Sequence, residues 1–319
     1  MPDNDDARWL RAAARLAERG RPLSRPNPAV GALLIKQGRV IGRGWTQSGG
    51  RPHAEAVALA QAGAEASGAT LYVTLEPCAH ASERGPSCAG LIAASGLVRV
   101  VVGVGDPDPR TAGAGLAQIR SAGIAAELAD DPACTASLAG YLVRTRLGRP
   151  HVTLKLALSE DGRLGESQWL TGETARAHVH AVRAKMDAIL VGRGTLEADT
   201  PRLDVRLPGI EARSPQRWLL THGAAPEGWC AIPSPGDIGG SDAQWLMLEG
   251  GAETARAFLS AGLVDRLMLY RAPLTLGGSG PALPELAADA VGADWQLSDR
   301  RPLGKDQLDV YERSPCSPE

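Results

Sequence analysis

Apolar residues recur at helical spacing between Ala7 and Arg19 (Leu10, Ala13, Ala14, Leu16, Ala17), and Gly20 closes the run, so the spacing predicts a helix. Pro22, Pro26 and Pro28 then enforce an extended loop. Val30 to Ile35 and Arg39 to Gly44 read as two strands joined by a turn at Gln37-Gly38. A helix is expected from about His53 to Gly63, a strand from Thr70 to Leu75, and a helix from about Ser87 to Ser95. Val98 to Val104 reads as a strand, apolar but for Arg99, followed by a helix from Leu116 to Ala122 and a short strand from Ala125 to Leu128. Such alternation belongs to an α/β layer protein.

The pattern breaks at Arg144 to Pro150, where charge, Gly and Pro cluster. We place a domain boundary there, giving domains 1–147 and 148–319. The second half restarts with a strand from His151 to Leu158 and a helix from Thr174 to Ala184. Strands follow at Ala188 to Val191, Arg217 to Thr221 and Gln244 to Leu248. A helix from Glu253 to Ala261 and a strand from Arg266 to Tyr270 make this a second α/β unit.

Composition supports two ordinary cores: the 319 residues are 44% hydrophobic but only 4% aromatic, so Ala, Val, Leu and Ile must fill them. A formal net charge of −2 gives no basic footprint for nucleic acid. No uninterrupted apolar run approaches the roughly 18 residues of a membrane helix, and Met1 to Asp6 lacks a signal-peptide pattern. Five cysteines in a chain of this size do not make a disulfide framework. A cytoplasmic location is expected, and there the close pair Cys78 and Cys88 suggests metal or catalysis.

His53-Ala54-Glu55, then Pro77-Cys78, then Cys88 carry the strongest chemical signal. One imidazole and two thiolates give zinc three ligands and leave the fourth tetrahedral position open for water, as a catalytic site requires. A helix start near each cysteine favours the thiolate. Glu55 can take a proton from water and hand it to a leaving amine. Taken singly, His53 reads as a helix cap and the cysteines as small buried residues; it is the combination that points to zinc.

This arrangement resembles the cytidine and nucleobase deaminase superfamily. Neighbouring residues narrow the resemblance: Pro26-Asn27-Pro28-Ala29-Val30-Gly31, Tyr72-Val73-Thr74-Leu75-Glu76-Pro77-Cys78-Ala79-His80 and Asp106-Pro107-Asp108-Pro109 are similar to the bifunctional riboflavin-pathway deaminase-reductases. The resemblance implies a cytidine-deaminase-like three-layer domain followed by a dihydrofolate-reductase-like domain. It implies removal of the 2-amino group of a diaminopyrimidinone ribosyl phosphate, then NADPH-dependent conversion of the ribosyl group to a ribityl chain. The sequence departs from the family by one extra residue between Cys78 and Cys88 and by Asp108 in place of Asn, and the resemblance implies Arg84 as the loop's basic residue.

The second half carries the resemblance on, through Lys155 to Arg163, Trp169-Leu170-Thr171, Val191 to Leu203, and Arg206 in the expected order. Glu160 stands where the family commonly has Leu, and the connection from Arg163 to Gly165 is short. Gly192 and Gly194 end a strand, and Gly250-Gly251 opens a helix whose free N–H groups suit a phosphate. By resemblance, Ala157, Trp169, Thr195, Asp199 and the segment Gly251, Ala252, Glu253, Thr254, Ala255, Arg256 and Ala257 contact NADPH. Ser167, Arg183, Leu203, Arg206 and Glu249 contact the substrate, the two arginines suiting its phosphate. Alone, either arginine reads as a solvated charge, Trp169 as core packing and the Gly-Gly pair as a turn. No side chain stands out as the proton donor, although Lys155 lies on the cofactor strand.

The expected cofactors are Zn2+ and NADPH, and the expected partner is a small phosphorylated pyrimidine, with no nucleic acid, no membrane and a homodimeric assembly. Competing readings are a zinc nucleoside or tRNA deaminase, a relative with only one half active, and a structural zinc module. The tRNA reading predicts a basic or aromatic surface that the sequence does not show. A structural site closes with four protein ligands and has no use for Glu55.

Overall fold

The computed structural model describes residues 4–80, 85–165, 170–278, 280–287 and 291–314. The chain divides into two compact units, Met1–Arg149 and Pro150–Glu319.

The first unit runs α1 (Asn4–Ala17), β1 (Gly31–Lys36), β2 (Arg39–Trp45), α2 (Ala54–Ala62), β3 (Thr70–Leu75), α3 (Cys88–Ala93), β4 (Arg99–Val104), α4 (Ala114–Ser121), β5 (Ala125–Leu128) and α5 (Pro132–Leu147). Its sheet has the order β2-β1-β3-β4-β5, antiparallel around β1 and parallel from β3 to β5. Gln37 and Gly38 both take positive φ (50° and 72°), the twist a two-residue hairpin turn needs to join β1 and β2.

Helices cover both faces of this sheet. A Cβ on Gly31 would lie 2.0 Å from the Ala13 carbonyl oxygen of α1, and one on Gly44 would lie 2.1 Å from that of Ala54 in α2. Gly31 pairs with Trp45 and Ala32 with Gly44, so these two close approaches are on opposite faces. The core between the layers is aliphatic, with Leu34, Leu71, Val101, Ile92 and Leu138 almost fully buried.

α5 is absent from the periodicity reading. Its start is signalled only by its cap: the Asp131 carboxylate accepts from the Cys134 N–H at 2.9 Å, and Pro132 occupies the first turn. Arg144 and Arg146 therefore belong to the last turns of a helix capped by Gly148 (φ 69°), not to a linker. The separation into units falls between Arg149 and Pro150.

The second unit runs β6 (His151–Leu158), α6 (Glu173–Arg183), β7 (Ala188–Gly192), α7 (Arg193–Asp199), β8 (Gln216–Leu220), β9 (Trp229–Ile232), β10 (Trp245–Leu248), α8 (Ala252–Ser260), β11 (Arg266–Arg271), β12 (Trp295–Leu303) and β13 (Asp306–Arg313). The sheet order is β12-β13-β11-β6-β10-β7-β8-β9. Every pairing from β11 to β9 is parallel, and β13 and β12 add an antiparallel edge. Leu154, Leu156 and Leu158 face a core that also takes Trp218 and Phe258, so the few aromatics contribute here more than composition suggests.

Candidate active sites

The deaminase-type site sits where α2 and α3 begin. His53 is the N-cap of α2, and its backbone is extended (φ −71°, ψ 161°). Glu55 lies in the first turn of that helix and is buried. Because the bare Gly44 lets α2 lie directly on β2, the position of both residues is set by backbone packing. Cys78 follows β3. Cys88 opens α3, whose cap Ser87 accepts from the Gly90 N–H at 3.1 Å.

Three donor atoms converge there. His53 Nδ1 lies 3.2 Å from Cys88 Sγ and 3.6 Å from Cys78 Sγ, and all the ligand atoms fall within 4.8 Å of one another. Tetrahedral zinc with ordinary Zn–N and Zn–S bonds separates its donors by about 3.5–3.8 Å, so one imidazole and two thiols fit the ion. The Asn27 amide lies 3.4 Å from the other ring nitrogen, Nε2. The Cys88 N–H donates to Cys78 Sγ at 3.3 Å. The hydrogen bond from the Cys88 thiol, with those from His53 and the Cys88 N–H, outweighs burial and holds the Cys78 thiol down to about 4. The hydrogen bond with Cys78 and burial push Cys88 up, so the pair shares a proton that a metal would displace. Burial pushes the Glu55 carboxyl up, towards the range of a working acid and base.

A cleft of about 260 Å³ opens at the site, lined by Arg51, Pro52, His53, Gly85, Pro86 and Cys88 among others. Glu76 shapes the loop behind it: its buried carboxylate accepts from the N–H groups of Gly113 at 3.0 Å and Leu116 at 3.1 Å. Asp106 accepts from the Tyr141 hydroxyl of α5 at 2.8 Å, whereas Asp108 is engaged by Arg110. Arg84 lies outside the described residues.

In the second unit the cofactor candidates follow the C-terminal ends of adjacent parallel strands. Ala157 and Lys155 are half-buried on one face of β6, alternating with its core leucines. Gly251 caps α8 and donates its N–H to Thr195 Oγ1 of α7 at 3.1 Å, joining two candidates 56 positions apart. A Cβ on Gly192 would meet Thr254 Oγ1 at 2.3 Å, so the bare strand end lets α8 start close to the sheet. The first N–H groups of α8 are left for an anion. Ala252 and Ala255 direct their side chains into the core, Arg256 donates to the Ala282 carbonyl, and Asp199 is exposed. Trp169 and Ser167 lie outside the described residues.

Arg183, at the end of α6, grips Glu249 through Nε at 2.6 Å and Nη2 at 2.8 Å. Lys155 Nζ lies 3.8 Å from the same carboxylate. Arg183 Nη1 also donates to the Asp204 carbonyl at 3.1 Å, and the Arg206 N–H to His180 Nδ1 at 3.3 Å. α6 thereby holds the segment that carries Leu203, which is buried with a left-handed backbone (φ 53°), and Arg206. Arg183 is neutralised by Glu249, whereas Arg206 is half-exposed and only 3.4 Å from Asp204 Oδ1. Burial lowers the Lys155 pKa, and the charge of Arg183 lowers it further against the pull of Glu249. Lys155 also faces the Tyr270 ring at 5.8 Å, and the Tyr270 hydroxyl is hydrogen-bonded to His178 Nδ1 at 2.8 Å. Nothing in the local sequence marks Tyr270 or His178; tertiary packing brings Tyr270 to Lys155 and His178 to Tyr270.

Fold and site together define a two-unit enzyme, a zinc deaminase followed by a nicotinamide-dependent reductase. Residues 3–104 match the cytidine and deoxycytidylate deaminase zinc-binding region, and residues 150–227 and 239–308 match the RibD C-terminal domain. The chain is 36% identical to the riboflavin biosynthesis protein RibD of Haemophilus influenzae over 95% of its own length and 96% of that protein. It is 36% identical to RibD of Escherichia coli, over 94% and 97%. Acinetobacter baumannii RibD superposes with a TM-score of 0.84 at 33% identity, covering 97% of this chain and 99% of that one. A Thermotoga maritima diaminohydroxyphosphoribosylaminopyrimidine deaminase/5-amino-6-(5-phosphoribosylamino)uracil reductase superposes at 0.85 with 27% identity over the same shares. The chain belongs to the RibD family of bifunctional deaminase-reductases of riboflavin biosynthesis, enzymes that use zinc and NADPH. Among the described residues no helix is long and apolar enough to cross a membrane.

Proposed function

We propose that the first unit deaminates 2,5-diamino-6-(5-phosphoribosylamino)pyrimidin-4-one and that the second reduces the resulting ribosyl group to ribityl. The observation that carries this reading is the convergence of His53 Nδ1, Cys78 Sγ and Cys88 Sγ beside the buried carboxyl of Glu55. His53, Cys78 and Cys88 hold zinc, which when bound acidifies water. Glu55 takes the proton released as water adds to the ring carbon and delivers it to the departing amine. The amino group leaves as ammonia and a carbonyl takes its place.

In the second unit, Thr195 and the start of α8 at Gly251 to Glu253 receive the cofactor's phosphates. NADPH supplies a hydride. Ala157 gives the nicotinamide a small surface, and Lys155, Glu249 and Arg183 order the sugar end of the substrate. Arg206, the less neutralised of the two arginines, takes the 5-phosphate. Asp199, Trp169, Ser167 and Leu203 complete the set by resemblance.

A cytoplasmic location suits the four free cysteines of the described residues, two of which must stay reduced to hold zinc. A homodimer suits the edge strands β2 and β5, where Val40 and Leu128 stand exposed. Mass spectrometry of the pyrimidine tests the assignment. Zinc-loaded protein without NADPH should exchange one amino group for oxygen, and adding NADPH should add two hydrogens. An unchanged pyrimidine in both incubations would overturn it.

A further inference from the structure

Strand order lays out the reductase site as a line. Ala157 and Lys155 mark β6, Gly250 and Gly251 follow β10, Arg193 to Thr195 follow β7, and Thr221 to Ala224 follow β8, with β6, β10, β7 and β8 adjacent and parallel. Their C-terminal ends lie on one edge, where open α/β sheets bind ligands. At about 4.8 Å per strand, β6 to β8 spans about 14 Å. A dinucleotide with its nicotinamide at β6 and its pyrophosphate at α8 therefore carries its adenosine half towards β8.

A fixed cation stands at that end, and none of the expected cofactor contacts includes it. Arg193 directs Nε and Nη2 onto Thr221 Oγ1 at 3.2 and 2.6 Å, and Nη2 also reaches the Ala224 carbonyl at 3.2 Å. Thr221 is buried, and its hydroxyl is held in turn by the Gly223 N–H at 3.1 Å. Neutral oxygens orient the guanidinium without cancelling its charge. Among the described residues its one acidic partner, Glu197, is 3.8 Å from Nη1 and 67% exposed, a pairing that water largely screens. The Arg193 side chain is itself 46% exposed, and its Nη1 has only that screened contact, which leaves it to a ligand. The turn after β8, Thr221-His222-Gly223-Ala224, has no carboxylate to read the free ribose hydroxyls of NADH.

We propose that Arg193, positioned by Thr221, binds the 2′-phosphate of the adenosine ribose and sets the preference for NADPH over NADH. This rests on the cofactor placement proposed above, with the pyrophosphate at Thr195 and Gly251. A guanidinium fork matches phosphate oxygens and gains little from a ribose hydroxyl.

Equilibrium binding of NADPH and NADH to the full-length protein, followed by nicotinamide fluorescence, tests this without turnover. Arg193→Ala should raise the Kd for NADPH at least tenfold and leave that for NADH unchanged, and Arg193→Lys should fall between. Equal weakening of both nucleotides, or of neither, by Arg193→Ala in a protein with unaltered melting would overturn the proposal. Thr195→Val separates it from the underlying placement, because losing a pyrophosphate contact weakens both nucleotides alike. If Thr195→Val changes neither while Arg193→Ala still discriminates, the pyrophosphate placement fails and the role of Arg193 stands.

Discussion

Glu249 and Arg183 meet through two parallel hydrogen bonds, Nε to Oε1 at 2.6 Å and Nη2 to Oε2 at 2.8 Å, although one follows β10 and the other ends α6. Both are largely buried, and Lys155 sits 3.8 Å from the same carboxylate. Removing one partner of such a pair leaves buried charge uncompensated. Glu249→Gln should therefore destabilise the second unit by about 3 kcal/mol. Burial works to raise the Glu249 pKa, but Arg183 and Lys155 outweigh it and the net shift is downward. The stabilisation is thus complete above the unfolded carboxylate pKa of about 4.3 and is lost as pH falls through the lower folded value. Denaturant titrations of both proteins should show a constant gap from pH 7 to about 5 that narrows below about 4. A gap that widens on acidification would contradict the pairing.

Gly44 gives a second expectation. A Cβ there would come within 2.1 Å of the Ala54 carbonyl oxygen, and backbone cannot move aside as a flexible side chain can. Gly44→Ala should cost about 2 kcal/mol or more by overpacking and shift the start of α2. Since that start carries His53 and Glu55, zinc content after dialysis should fall along with the melting temperature. Stability lost with full zinc retention would mean the strain is absorbed elsewhere.

Glu55 and the ligands should separate cleanly. Glu55→Gln keeps the three donors and removes the proton carrier. Zinc should stay at one equivalent by metal analysis while ammonia release falls by about 10²–10⁴-fold. Cys88→Ser should lose both zinc and ammonia release, because the oxygen is a poor substitute for a thiolate ligand. Neither change should alter the affinity for NADPH, measured by fluorescence. Full ammonia release by Glu55→Gln would remove it from the chemistry.

The elements legible in the sequence are those with a strong period or a clear stop. β1 is a continuous apolar run that stops at Gln37-Gly38 before the mixed pattern of β2, and β6 places Leu154, Leu156 and Leu158 on one face. α5 escaped because Ala, Cys, Thr and Ser dilute its apolar stripe, leaving Asp131-Pro132 as the only signal. β12 is an edge strand with mostly exposed residues and Pro302 within it, so alternation has no buried face to mark. The zinc set was legible because His53 and Glu55 are neighbours and Cys78 and Cys88 bracket one loop. In contrast, Arg183 and Glu249 are 66 positions apart, so nothing local in the sequence signals that they pair with one another. The same holds for Arg193 and Thr221, 28 positions apart and joined only by the pairing of β7 with β8.

The central claim is that one chain carries both steps in order, and the most direct test is their stoichiometry. Zinc-loaded protein given the diaminopyrimidinone ribosyl phosphate and NADPH should release one ammonia for each NADPH oxidised, with ammonia leading. Removing zinc should stop both signals, and supplying the deaminated pyrimidine should restore NADPH oxidation alone. NADPH oxidation on the diamino substrate without ammonia, or ammonia with no NADPH consumed, would contradict the account.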